Sequence, residues 1–109
     1  MRIVRSAIDR TGHPQRERCG GFGFDRQIRK HIAHQRLIDQ GKVRAVGGSN
    51  YDAVGLKQAL DAAGGSKARY TVLQPHYNLL VRDQYEGALE DLCAKEGLGV
   101  IPYFALASG

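Results

Sequence analysis

An α/β fold built on parallel strands is what this 109-residue chain predicts, on three observations. Short runs rich in β-branched and aromatic residues begin near residues 43, 70 and 99. Between them lie two amphipathic segments, each closed by glycine. The strand starts are 27 and 29 residues apart, room for a strand, a helix and two turns, so successive strands run parallel with right-handed crossovers. About three parallel strands and two or three helices are expected.

The elements follow in order from Leu37. The run "KVRAV", with Val43 and Val46, is a first strand expected to end in Gly47-Gly48. Asp52 then caps a helix whose Leu56, Ala59, Leu60 and Ala63 recur at i, i+3, i+4 and i+7. Gly64-Gly65 stops it. The segment "YTVLQ", Tyr70 to Gln74, is the second strand, and Pro75 is expected to end it by removing a ladder donor. After "HYNLLVRD", Asp83 is the expected cap of the next helix, with Glu86 three residues on in the manner of a capping box. Tyr85, Ala88, Leu89, Leu92 and Cys93 form its expected buried stripe and Gly97 its terminator. "LGVIPY", Leu98 to Tyr103, is the third strand.

The first third is different. The net charge of +5 conceals an asymmetry. Residues 1–36 hold nine basic and three acidic residues, whereas residues 37–109 hold seven and eight. Apolar residues are scattered there, and Gly20, Gly21 and Gly23 are expected to break any helix running through them. Only Asp25 to Leu37 reads as helical, with Ile28, Ile32 and Ala33 on its inner side. The chain therefore divides into a basic, poorly patterned segment, 1–36, and an organised unit, 37–109.

Composition bounds the rest. Hydrophobic residues at 42 % and charged residues at 25 % fit a globular domain rather than a disordered one. No apolar run approaches the roughly 18 residues of a membrane span. Two cysteines, Cys19 and Cys93, are too few for a disulfide scaffold and favour a reducing, cytoplasmic setting.

Ligands of parallel α/β folds gather at the carboxyl ends of the strands. Those ends carry Ser49-Asn50, Gln74 and Tyr103. A hydroxyl and two carboxamides can donate to and accept from an amide, and an aromatic face can stack, which together suit a flat polar ring such as nicotinamide. Taken singly, each is an ordinary strand-terminating residue. Three in register carry more weight.

The segments "LIDQGKVRAVGGSNY", "VLQPHYNLL" and "GLGVIPYFALASG" resemble, in order and spacing, three successive strand-end signatures of the aldo-keto reductases. The resemblance covers residues 37–109 and implies part of a (β/α)8 TIM barrel, its fifth to seventh strands. It implies an oxidoreductase that reduces aldehydes and ketones with NADP(H). By that match Ser49, Asn50 and Gln74 would bind the nicotinamide carboxamide and Tyr103 would stack on the ring. The backbone from Phe104 through Ala105 and Leu106 would approach the pyrophosphate. The family's usual Ser-Pro after the aromatic is here Phe104-Ala105.

The family's catalytic Asp, Tyr, Lys and His lie on the first half of the barrel, and residues 1–36 do not display their pattern. No proton donor and no metal site is assigned, and whether the chain is itself an enzyme stays open. His76 reads as a loop residue. Three strands cannot close an eight-stranded barrel, so the isolated chain is expected to be unstable, to self-associate, or to need the missing barrel half.

Other readings attach to the basic segment. "GGFGFD", Gly20 to Asp25, resembles the centre of an RNA-recognition octamer, and its G-x-G is a fragment of a dinucleotide loop. Cys19 with His31 and His34 suggests zinc, without the second cysteine pair such sites use. Out-of-frame translation of a GC-rich reductase gene accounts better for an Arg-, Gly- and His-rich stretch without period. A nucleic-acid binder with a basic N-terminal arm and a noncatalytic cofactor-binding module are the alternatives to the reductase reading.

Overall fold

The computed structural model describes residues 3–5 and 22–109. Four strands, β1 (Ile3–Arg5), β2 (Ala45–Ser49), β3 (Val72–Gln74) and β4 (Gly99–Val100), form one sheet in the order β1-β2-β3-β4, and every adjacent pair is parallel. Helices α1 (Phe22–Asp39), α2 (Ala53–Ala63) and α3 (Ala88–Glu96) fill the three crossovers. The α/β class is as expected, and the sequential strand order is that of an arc of a (β/α)8 barrel. The short strand at Ile3–Arg5 is an addition, as it lies in the segment for which no strand is expected.

Neighbouring helices pack on one another, α1 on α2 and α2 on α3. Their common core joins Val46 and Leu73 of the sheet to Leu56, Ala59 and Leu60 of α2 and Leu89 and Cys93 of α3. Because side chains alternate along a strand, Leu73 enters this core while Val72 and Gln74 turn to the opposite face of the sheet.

The first expected strand differs from the observed one. β2 does not stop at Gly47-Gly48 but runs through both. Close packing is the reason. A Cβ at Gly47 would collide with Val72 Cγ2 and stand 2.9 Å from the Val72 carbonyl oxygen, and one at Gly48 would come within 2.9 Å of the Tyr51 ring. The glycines admit their neighbours rather than end the strand. Pairing also passes Pro75, whose carbonyl accepts the Tyr103 N–H at 3.0 Å, and His76 bridges Tyr103 in parallel fashion.

Helix α2 is as the sequence requires. Asp52 accepts the Gly55 N–H at 2.7 Å, and Leu56, Ala59, Leu60 and Ala63 are buried. The start of α3 is a correction. Gly87, at φ 92°, precedes the first helical residue, with no side-chain cap. Asp83 lies in the preceding turn, closed by Tyr85 and Glu86 N–H groups on the Arg82 carbonyl. Glu86 cannot act in a capping box because it precedes the Gly87 cap, and Arg82 Nε and Tyr77 Oη both donate to its Oε1 at 2.7 Å. Leu89 and Cys93 are buried as expected, Tyr85 and Leu92 pack at the edge of the core, and Ala88 is exposed. Gly97 closes the helix in the left-handed conformation, φ 67°.

Helix α1 corrects the sequence reading twice. It starts at Phe22 and includes Gly23, so that glycine is tolerated in a first turn, where backbone N–H groups have no helical partner to lose. Its inward stripe is Gln27, His31 and His34, while Ile32 is 50 % exposed and Ala33 is exposed as well. The cause lies opposite. His31 Nδ1 meets the Ala68 carbonyl at 2.9 Å and Gln35 Oε1 accepts the Ala68 N–H at 3.2 Å. Tyr51 Oη donates to Gln27 Oε1 at 3.2 Å. The surface under α1 offers backbone polar groups and phenols, and a polar stripe meets them.

Candidate functional site

The carboxyl ends of β2, β3 and β4 bring the expected residues into one arc. Ser49 pairs with Gln74 in register, and its Oγ donates to the Gln74 carbonyl at 2.8 Å. The hydroxyl proton is thereby committed, and the oxygen keeps lone pairs for an incoming donor. Asn50, next in the chain, takes the left-handed conformation at φ 58°, which asparagine tolerates better than most residues. That turn carries its carboxamide to the next strand end but one, where Tyr103 Oη donates to Asn50 Oδ1 at 2.7 Å. With its oxygen engaged, Asn50 has its amide nitrogen left to donate.

Tyr103 is held at further points. Its N–H donates to the Pro75 carbonyl, and its ring stacks on the His76 imidazole, centroids 5.3 Å apart and planes 16° from parallel. It remains 36 % exposed. Past it the chain turns sharply, with Phe104, Ala107 and Ser108 at positive φ. Within this turn the N–H groups of Ala107 and Gly109 donate to the carbonyls of Phe104 and Leu106.

Asn78 locks the turn to the β3 loop. Its Oδ1 accepts from Leu80 N at 2.9 Å and Val81 N at 2.8 Å, so its Nδ2 must face the other way. There it lies 3.2 Å from the Phe104 carbonyl and 3.4 Å from His76 Nε2. Sequence reasoning missed both Asn78 and the stacking role of His76. The signal for His76 was present: it stands two residues after Gln74, and strand alternation puts the two on one side.

Two described phenols outside the arc, Tyr77 and Tyr85, are shifted toward weaker acids. The hydrogen bond to Glu86 holds the Tyr77 phenol above its usual range, and burial does the same for Tyr85. Arg82, then Tyr77, holds the Glu86 carboxyl below its usual range. Burial raises the Cys93 thiol and keeps it from being a reactive nucleophile. Among the described residues no cluster of three metal-ligating side chains occurs, and no helix is long and apolar enough to cross a membrane. Cys19 and the start of the "GGFGFD" run, Gly20 and Gly21, lie outside the described residues.

A parallel βα arc with hydroxyl, carboxamide and aromatic groups gathered at its strand ends defines a class of βα-barrel proteins with strand-end sites. Within that class, residues 29–109 match the model of the aldo/keto reductase family, and the chain belongs to that family. It is 33 % identical over 76 residues to "Putative aryl-alcohol dehydrogenase C750.01" of Schizosaccharomyces pombe, a match that covers 67 % of this chain and 22 % of the relative. It is 34 % identical over 76 residues to "Aldo-keto reductase NECHADRAFT_45914" of Fusarium vanettenii, again over 67 % of this chain and 20 % of the relative. The chain thus spans about a fifth of the length of the curated relatives it matches.

Proposed function

We propose that this chain forms the nicotinamide-ring portion of the site of an NADP(H)-dependent oxidoreductase acting on aldehydes or ketones. The linked arc at the strand ends carries the reading: Ser49 on Gln74, and Asn50 on Tyr103. The donor set fits the ring. Asn50 has an amide nitrogen to offer, Ser49 has lone pairs, Gln74 supplies a second carboxamide, and Tyr103 presents an aromatic surface. The turn through Phe104, Ala105 and Leu106 is assigned to the pyrophosphate through its backbone.

Reduced nicotinamide supplies hydride to a carbonyl carbon when bound. The work of this chain is to orient. Asn50 and Gln74 fix which way a carboxamide points, Ser49 accepts from it, and Tyr103 covers one side and excludes water there. The carbonyl oxygen must also receive a proton, and Tyr77 and Tyr85, both shifted toward weaker acids, are unsuited to give it. We therefore assign the proton donor to the other barrel half and expect no turnover from these 109 residues alone. The working form is cytoplasmic and completed by that half or by self-association.

Titration of NADPH into the chain, followed by the fluorescence of the reduced nicotinamide, tests the assignment. Saturable binding is expected, weakened about tenfold or more by Asn50→Ala, because a carboxamide contact is lost and the Tyr103 hydroxyl loses its acceptor. No aldehyde-dependent oxidation of NADPH is expected. Absence of binding, or binding indifferent to Asn50, would overturn the site; turnover by the chain alone would overturn the division of labour.

A further inference from the structure

We propose that His76 is a positioning residue that sets the plane of the Tyr103 ring, so that the face turned away from the imidazole can receive a flat heteroaromatic ligand. The inference rests on the assignment of Tyr103 to the nicotinamide ring.

The Asn50 bond fixes one feature of the Tyr103 ring and leaves another free. Tyr103 Oη lies on the axis about which the phenol ring turns. The 2.7 Å bond to Asn50 Oδ1 therefore fixes the direction of that axis and leaves rotation about it nearly free. The backbone bond from Tyr103 N to the Pro75 carbonyl fixes the main chain and again leaves ring rotation free. Only a contact against the face of the ring chooses its plane. His76 makes that contact, with centroids 5.3 Å apart and 16° between planes, an offset stack.

The imidazole is itself held. His76 bridges Tyr103 through the backbone, so the two side chains leave neighbouring strands at the same height. Its Nε2 lies 3.4 Å from Asn78 Nδ2, whose orientation is dictated by the two N–H groups on Asn78 Oδ1. The contact is a hydrogen bond when Nε2 accepts, which places the imidazole proton on Nδ1. Phe104, with its ring 5.7 Å from His76, encloses the imidazole from another side. The plane of Tyr103 is thus passed down from Asn78 through His76, and Asn78 also fixes the Phe104 carbonyl at the head of the next turn.

The test compares His76→Ala with His76→Phe in the full 109-residue chain, and NADPH with 2′-phospho-ADP-ribose, which lacks the nicotinamide. His76→Ala is expected to weaken NADPH about threefold to tenfold while leaving the ligand without nicotinamide unchanged, and His76→Phe is expected to restore the NADPH affinity. Equal weakening of both ligands, no weakening, or no rescue by Phe overturns the proposal. Ligand-free nuclear magnetic resonance of labelled Tyr103 separates it from the cofactor assignment. Ring flipping that quickens in His76→Ala and is restrained again in His76→Phe supports the positioning role; flipping that is unchanged overturns it. A wild-type chain that does not bind NADPH removes the cofactor assignment, and the ring measurement then still decides what His76 does.

Discussion

Helices α1 and α2 lie side by side, and each turns one stripe inward by different chemistry. The stripe of α2 is Leu56, Ala59, Leu60 and Ala63. That of α1 is Gln27, His31 and His34, with Leu37 and Ile38 reaching the core only at its end. Apolar burial stabilises in proportion to area and needs no matched partner. Polar burial stabilises only where each atom finds one, and a buried group left unmatched costs about 1–3 kcal/mol. Two nitrogens under α1, His31 Nε2 and His34 Nδ1, have no hydrogen-bond partner among the described residues. Similar contacts between helices therefore do not mean similar strength: α2 anchors the arc, while α1 is held by a network only partly satisfied.

Truncation of α2 gives the largest effect. Leu60→Ala is expected to cost about 2–5 kcal/mol in urea unfolding, a large share of a small domain's total stability. A loss below about 1 kcal/mol would mean that α2 is not the anchor. Removing its cap comes next: Asp52→Ala takes away the acceptor of the Gly55 N–H and is expected to cost about 1 kcal/mol by the same measurement.

The third change acts through pH. Burial, then the nearby His31 and Lys30, holds the His34 pKa below its ordinary value of 6.5. The Tyr70 ring also lies against this imidazole. The unfolded chain accordingly takes up the proton first. The stability contributed is complete above the ordinary value and is lost as pH falls through the lowered folded one. The urea midpoint should fall between about pH 7 and about pH 5, and His34→Leu should flatten that fall. At about pH 8 the same substitution should leave stability unchanged or raise it by up to about 1–3 kcal/mol, since a buried unmatched polar atom is exchanged for an apolar group. An unchanged slope in the variant would dissolve the contrast between the helices.

The same contrast explains what could be read from the residues alone. The period of α2 and its Asp52 cap were legible because burial there follows hydrophobicity. The strand-end residues Ser49, Asn50, Gln74 and Tyr103 were legible because strand spacing puts them at one edge. On α1 the rule selects Ile28, Ile32 and Ala33, one position away from the buried stripe, because what lies opposite is the Ala68 peptide and two phenols rather than aliphatic groups. The start of α3 was hidden for a related reason: Arg82 and Tyr77 hold the Glu86 carboxylate in the turn before the helix. In both places a tertiary partner overrides a local preference, and a single sequence does not display the partner.

Val72 stands in register between Gly47 and Gly99, and its two methyl groups point into the spaces those glycines leave. It behaves like one tooth between two notches. Sliding β4 by a single step along β3, or β2 so that Val46 comes opposite Val72, would present a side chain where a notch must be, which narrows the alignments open to the three strands. The level shared by Ser49 and Gln74 thus depends on the side chain absent from buried Gly47 further down the sheet, and a methyl group added there would disturb the ligand end without touching it.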